Sequence, residues 1–259
     1  MSYAIITGAS KGIGKAIAIE LAKRKKNLLL IARTEQLLAE LSEKLGKEYA
    51  VAAKYLAVDL SDPKAIEQIL EYCLAQQLTI DVLINNAGYG LSGAFEQHTL
   101  NDQLQNMYVN MDVPVMLTYA LLPQMKRNQQ SFILNVCSGA SYQAVPGLTV
   151  YAATKAFLLS FSRGLRYELR HTTVSVTAVC PGATDTDFPN RANVGAKAKK
   201  LAEKVNMKAE EVAVIAVNGM YARKAEVVPG FINQLGAFLV WLFPKALSER
   251  SAANIYGIK

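Results

Sequence analysis

Apolar positions along the chain fall into two alternating patterns. Short, nearly uninterrupted apolar runs at residues 4–7, 28–32, 51–58, 82–84, 132–136 and 174–179 are bounded by turn residues and predict strands covered on both faces. Between them, residues 13–24, 36–44, 63–75, 102–125 and 150–169 repeat apolar side chains at three- and four-residue spacing, as helices with one face on a core do. Pro63 follows Ser61 and Asp62, which reads as a capped helix start. A further short strand is expected at 226–228.

Strands and helices that take turns in this way need long right-handed crossovers, because parallel neighbours cannot be joined by a tight turn. The expected fold is α/β: a doubly wound, Rossmann-type three-layer sandwich around an open parallel sheet. No repeat or low-complexity segment divides the 259 residues. Residues 1–259 are therefore expected to form one domain, with 187–259 as a substrate flap and C-terminal extension of it.

Composition narrows the class. Apolar residues make up 51% and charged residues 19%, which suits a globular core and argues against disorder. The net charge of +7 fits a phosphorylated cofactor or an anionic carrier of the substrate, and equally an evenly solvated basic surface. No nucleic-acid partner is expected. Cys73, Cys137 and Cys180 lack CxxC spacing, so neither a disulfide framework nor a metal site is expected, and a reducing cytoplasm suits them. The chain passes from Ser2 straight into a strand-like run without the basic and apolar regions of a secretory leader. Residues 235–243 are apolar over nine positions, whereas a spanning helix needs about 20.

In open parallel sheets, ligands lie outside the carboxyl ends of the strands, so those ends are searched for chemistry. The first is followed by Gly8, Ser10, Lys11, Gly12, Ile13 and Gly14 and then by a helix. Glycines there permit a bend and a close approach of pyrophosphate, and the helix start offers unpaired N–H groups. A glycine turn that serves only packing is the alternative. The second strand runs into Arg33, which with Lys11 places two cations for a 2′-phosphate and favours NADP(H); Glu35 is the competing feature, since a carboxylate suits the unphosphorylated ribose. Asp59-Leu60 offers an acceptor to an adenine amino group, or else a helix cap. Asn86, Ala87 and Gly88 let backbone lie against a cofactor, or form a tight turn.

After the fifth strand, Ser138 precedes Tyr151 by thirteen residues, and Tyr151 and Lys155 are four apart on one helical face. A nearby ammonium stabilises a phenolate, so Lys155 is expected to lower the Tyr151 pKa toward working pH. A surface YxxxK pair is the alternative. Cys137 is expected to point away from Ser138 by strand alternation.

Taken together, TGASKGIG (7–14), Asp59, NNAG (85–88), Asn110, Ser138, YAATK (151–155) and PGATDT (181–186) resemble the short-chain dehydrogenase/reductase family in order and spacing, over roughly residues 2–188. The resemblance implies a seven-stranded parallel sheet and an oxidoreductase acting on CH–OH or C=O groups. It implies that Tyr151 donates a proton to a carbonyl oxygen that Ser138 also binds, that Lys155 tunes Tyr151 and holds the nicotinamide ribose, and that Asn110 orders a relay water. Pro181, Gly182, Thr184 and Thr186 would border the nicotinamide. It further implies a homodimer or homotetramer through the long helices. Relatives often carry two consecutive serines where this chain has Cys137-Ser138, and Ser141 is a second hydroxyl close by.

Beyond Phe188 the resemblance gives less. Residues 189–204, with Lys197, Lys199 and Lys200, read as a mobile flap or as a solvated surface helix. The run 235–243 suits, in this order, the roof of an apolar pocket, a subunit contact or a peripheral contact with a membrane interface. The expected activity is NADPH-dependent reduction of a ketone or aldehyde with an apolar or acyl-type small molecule as substrate. A nucleotide-responsive binding protein without turnover is the alternative from another class. An epimerase or dehydratase of nucleotide sugars is disfavoured by the glycine spacing.

Overall fold

The computed structural model describes residues 2–203 and 205–258. Strands β1 (Ser2–Thr7), β2 (Asn27–Ala32), β3 (Ala53–Ala57), β4 (Thr79–Asn85), β5 (Ser131–Val136) and β6 (Val174–Val179) are followed by two-residue strands β7 (Thr184–Asp185), β8 (Met207–Lys208) and β9 (Glu226–Val227). Seven of them form one sheet in the order β3-β2-β1-β4-β5-β6-β9, parallel throughout, while β7 pairs with β8. The chain starts in the middle, winds outward to β3, then reverses past β1 to β4. That reversal opens a crevice at the carboxyl ends of β1 and β4, between crossovers that leave in opposite directions.

Alternation along each strand builds the three layers. Ala4, Ile6, Leu28, Leu30, Ile84 and Leu134 face a layer made by α1 (Gly12–Lys23), α2 (Glu35–Tyr49) and α9 (Ala209–Tyr221). Ile5, Leu29, Ile31, Leu83 and Ile133 face the opposite layer, with α3 (Ala65–Ala75), α5 (Val113–Met125) and the end of α6 (Thr149–Glu168). Because both faces are covered, the strands read as continuous apolar runs.

Three expectations are corrected. Pro63 lies in a turn and α3 begins at Ala65, since the Asp62 carboxylate accepts from the Lys64 N–H and closes a local turn ahead of the helix. The third strand is shorter than residues 51–58, because it pairs with β2 only from Ala53 to Ala57. The single helix expected at 102–125 is three pieces: α4 (Leu100–Met107), a π-helical turn (Tyr108–Asp112) and α5, which carries Pro114 in its first turn. A π turn inserts one residue into the helical repeat and re-aims the side chains around it. Asn110 lies in that turn.

Residues 188–203 carry two short helices joined by a turn. These are α7 (Phe188–Arg191) and α8 (Ala196–Glu203), with Ala192, Val194 and Ala198 buried against Phe188, Ile255 and Tyr256. Helices α10 (Phe231–Leu242) and α11 (Lys245–Tyr256) complete the described chain. Among the described residues no helix is long and apolar enough to cross a membrane.

Candidate active site

The glycine turn is built where β1 meets α1. Gly8 and Gly12 take φ of +66° and +55°, a region that costs a side-chain-bearing residue energy. A Cβ on Gly8 would stand 2.8 Å from Asn86 Nδ2, and one on Gly12 would stand 3.1 Å from Thr186 Cγ2. A Cβ on Gly14 would collide with the Gly8 carbonyl oxygen and Asn86. Helix α1 starts without a side-chain cap and without an acidic residue in its first turn. Its first N–H groups therefore suit an anion, and the bare backbone leaves room for one, so the residues present fit a dinucleotide pyrophosphate. Ser10 is half-buried, and Ile13 packs onto the core, which leaves its backbone facing the turn.

Thr7 joins this turn to the end of β4. Its hydroxyl donates to the Ile84 carbonyl at 3.2 Å and accepts from the N–H groups of Asn86 and Ala87, each at 3.0 Å. The Asn86 amide donates back to the Thr7 and Gly8 carbonyls at 2.9 and 3.2 Å. Asn86 thus spends its side chain holding the turn. Thr7 opens the TGASKGIG motif, but a threonine at a strand end looks like any β-former, and its bracing role has no signal in the sequence.

On the β2–β3 side, Arg33 Nη1 lies 3.9 Å from Asp59 Oδ2, with both side chains about half exposed. Asp59 also accepts from Ser61 N and Oγ at 3.0 and 2.9 Å, and the Leu60 side chain is buried in the core. Lys11 pairs instead with Asp187, at 3.6 Å. The two cations expected to converge are held by different carboxylates. Asp187 lies just before α7, and nothing in its local sequence marks it as a partner for Lys11.

The second half of the site forms where β5, α6 and the π turn meet. Lys155, buried, donates from Nζ to the Val136 carbonyl at 2.8 Å, and Nζ lies 5.8 Å from the centre of the Tyr151 ring. Asn110, wholly buried, donates to the Tyr89 carbonyl at 2.9 Å and to Thr154 Oγ1 at 3.1 Å, and accepts from the Tyr89 N–H at 3.1 Å. Gly88 fits between these groups: a Cβ there would stand 2.9 Å from Asn110 Oδ1 and 3.3 Å from Lys155 Nζ. Ser138 begins a 3₁₀ turn (Gly139–Tyr142), accepts from the Ala140 N–H at 3.1 Å, and hydrogen-bonds the Tyr151 phenol. Ser141 accepts from the Ser138 N–H and donates to the Lys155 carbonyl, so of the two serines it is the one turned into the scaffold. Cys137 is buried in an apolar cluster with Cys180, Leu158 and Leu159.

The electrostatics differ from the expected lowering. Burial pushes the Tyr151 phenol up to about 12, and its hydrogen bond with Ser138 pulls the other way. Lys155 is itself pushed below its ordinary value by burial, because the charged form loses hydration. Tyr151 therefore keeps its proton throughout the neutral range.

Pro181 accepts from the Gly139 N–H at 2.8 Å, which brings the 181–186 segment beside the Ser138 turn. Thr184 donates to the Gly182 carbonyl at 3.1 Å, and Thr186 stands against Gly12. One short segment thus touches both halves of the site. Tyr151 belongs to an apolar cluster with Val145, Leu148, Phe188 and Tyr256, and the Phe188 ring centre is 5.2 Å from its own. The wall over the tyrosine thus includes the 145–148 segment, α7 and α11. Among the described residues, no group of three His, Cys, Asp or Glu is placed to hold a metal.

The family model described as short chain dehydrogenase matches residues 2–197. The chain is 31% identical over 259 residues to 17-beta-hydroxysteroid dehydrogenase type 3 of Homo sapiens, covering 98% of this chain and 81% of that protein. It is 36% identical over 185 residues to a very-long-chain 3-oxoacyl-CoA reductase of Kluyveromyces lactis, covering 69% of this chain and 54% of the relative, so it spans about half of that protein. A solved short-chain dehydrogenase from Sphingobium yanoikuyae in complex with NADPH superposes with a TM-score of 0.82 at 31% identity, over 95% of this chain and 98% of that one. With a glycine turn at the β1/β4 crevice and Ser138, Tyr151 and Lys155 gathered at its far side, the chain belongs to the short-chain dehydrogenase family of oxidoreductases acting on CH–OH and C=O groups.

Proposed function

We propose that this protein reduces a ketone or aldehyde with NADPH, reversibly as an alcohol dehydrogenase, and that its substrate is apolar or acyl-type. The observation that carries the reading is the Tyr151 phenol, protonated through neutral pH, hydrogen-bonded to Ser138 and walled by Val145, Leu148, Phe188 and Tyr256. Such a wall suits hydrocarbon better than a sugar. The names of the similar steroid dehydrogenase and 3-oxoacyl-CoA reductase point the same way.

When bound, the cofactor supplies a hydride to the carbonyl carbon. Tyr151 gives its phenolic proton to the carbonyl oxygen, whose negative charge grows as the carbon is reduced. Ser138 hydrogen-bonds the same oxygen and holds it beside the phenol. Lys155 places a positive charge near Tyr151 as the proton leaves, and binds the nicotinamide ribose hydroxyls. Asn110, tied to Tyr89 and Thr154, holds the π turn behind Lys155 and orders the water through which the proton is replaced. Tyr151, Lys155, Pro181, Gly182, Thr184 and Thr186 border the nicotinamide half. Gly8, Ser10, Lys11, Gly12, Ile13, Gly14, Asn86, Ala87 and Gly88 cradle the phosphates and adjoining ribose, and Asp59 and Leu60 meet the adenine.

Preference for NADPH is supported by Arg33 at the end of β2, where a guanidinium suits a 2′-phosphate, and by the NADPH complex of the similar Sphingobium enzyme. We assign residues 1–259 to one functional unit, a homodimer or homotetramer formed on α4, α5 and α6, where Leu104, Tyr119 and Phe157 are exposed. A cytoplasmic location suits three free, buried cysteines. The test is oxidation of NADPH and of NADH against a panel of steroid ketones, 3-oxoacyl thioesters and bulky aryl ketones. Turnover with NADPH and an apolar carbonyl supports the reading; cofactor binding without turnover across the panel would replace it with a regulatory role.

A further inference from the structure

We propose that α10 is a docking helix that lies flat in the boundary of an anionic lipid bilayer. Its amphipathicity is inverted. Phe231, Leu235, Phe238 and Leu242, spaced at i, i+4, i+7 and i+11, form an exposed ridge flanked by Ile232 and Trp241. The half-buried positions, Asn233, Ala237 and Val240, are polar or smaller and face the body, where Asn233 donates to the Pro229 carbonyl at 2.7 Å. No residue of the helix is buried. Phe231 and Trp241, near its two ends, are 77% and 78% exposed. A contiguous apolar surface of this kind is costly in water and marks a contact site.

Charge identifies the partner. Residues 227–244 contain no charged side chain. The exposed Lys208 sits beside the start of the helix, since its neighbour Met207 places Sδ 3.8 Å from Asn233 Nδ2, and the exposed Lys245 follows its end. On a larger scale, residues 188–259 hold eleven Lys and Arg against five Asp and Glu, a net +6, while residues 1–187 hold seventeen against sixteen, a net +1. The positive charge of the chain is thus gathered in the part that carries the ridge. A second copy docked symmetrically through α10 would oppose two such segments, and like charges disfavour that contact. An anionic bilayer satisfies both features: its acyl boundary takes the ridge and its headgroups take the lysines. At 12 residues the helix is about 18 Å long and lies in the interface without spanning it.

Trp241 is the only tryptophan, so its fluorescence reads the contact directly. The full chain is titrated with vesicles of phosphatidylcholine containing about 30% phosphatidylglycerol, and with phosphatidylcholine alone. The expected result is a blue shift, quenching by brominated acyl chains, and binding at least ~10-fold stronger to the anionic vesicles that weakens as salt is raised. Phe231→Glu/Phe238→Glu, which keeps the tryptophan, is expected to lower partition by roughly 100-fold with thermal unfolding unchanged. Unchanged emission and no co-sedimentation overturn the proposal, as does equal binding to both vesicles. A smaller oligomer of the double variant in lipid-free buffer overturns it too, by placing a second copy on this face.

Discussion

The hydroxyl of Ser141 donates to the backbone carbonyl of Lys155 at 2.9 Å and accepts from the Ser138 N–H at 3.2 Å. One buried side chain therefore couples the turn that carries Ser138 to the helix that carries Tyr151 and Lys155. Replacing it leaves two inward-facing backbone groups without their partner, and the two halves of the proton-donating site free to drift apart.

Ser141→Ala is expected to lower kcat about 10-fold with KM nearly unchanged, because misplaced groups cost rate more than binding. Stability should fall by about 1–2 kcal/mol in denaturant titration. Ser141→Thr, which keeps the hydroxyl, should restore most of kcat. Loss of stability without loss of kcat would reduce Ser141 to a structural role.

Gly88→Ala tests the close approach of the turn after β4 to the proton-donating groups. Its Cβ would meet Asn110 Oδ1 at 2.9 Å and Lys155 Nζ at 3.3 Å, and the Asn110 side chain is held from three directions. Strain of about 1–3 kcal/mol is expected. Steady-state kinetics should show kcat/KM reduced by ~10-fold or more. A variant as active as the parent would mean that Asn110 yields easily and does not order the site.

The pH dependence follows from two opposed shifts. Lys155 is pushed below its ordinary value of 10.5, and Tyr151 is raised to about 12. As pH rises the ammonium is thus lost first, while the phenol still carries its proton. The alkaline limb of kcat/KM for reduction should therefore fall below 10.5 and report Lys155. Lys155→Met should lower the whole profile by roughly 100-fold and remove that limb. A limb that persists in this variant would assign it to another group.

Several of these features were readable from residue order alone, and the reason is periodicity. Continuous apolar runs and helical repeats carry the alternation of strand and helix, and the turn residues between them fall at strand ends, where the topology then places them side by side. What could not be read is what depends on contacts across the fold. The one extra residue at Tyr108–Asp112 leaves the apolar spacing of 102–125 nearly intact, so a π turn looks like plain helix. Thr154 meets Asn110 across 44 positions, and Lys11 meets Asp187 across a still longer separation, with no local signal for either. Burial reverses the direction of the Tyr151 shift, and a spacing rule counts the neighbouring cation but not the lost water. The run at 235–243 shows its apolarity in sequence, yet only the orientation of α10 reveals that the large side chains face outward.

Cofactor choice can be separated between the two cations. Arg33 Nη1 stands near Asp59 at the adenosine end, at 3.9 Å, whereas Lys11 is drawn toward Asp187. Arg33→Ala should weaken NADPH by about 10- to 100-fold and leave NADH within a few-fold, because a charge-assisted contact to phosphate is lost. Lys11→Ala should have the smaller effect on the NADPH/NADH ratio. Binding titrations of both cofactors with both variants check this, and equal loss of the two cofactors in Arg33→Ala would contradict the assignment.

The central claim is that hydride from NADPH reaches a carbonyl carbon while Tyr151 protonates the oxygen. It is tested most directly by incubating the protein with NADPH carrying deuterium at both C4 positions of the nicotinamide and an apolar ketone that the panel shows to be turned over, then locating deuterium in the alcohol by mass spectrometry. The account predicts one deuterium on the carbinol carbon with the wild-type chain, and a rate reduced by about 1,000-fold or more with Tyr151→Phe while NADPH binding is kept. Deuterium absent from that carbon, or full transfer by Tyr151→Phe, would contradict it.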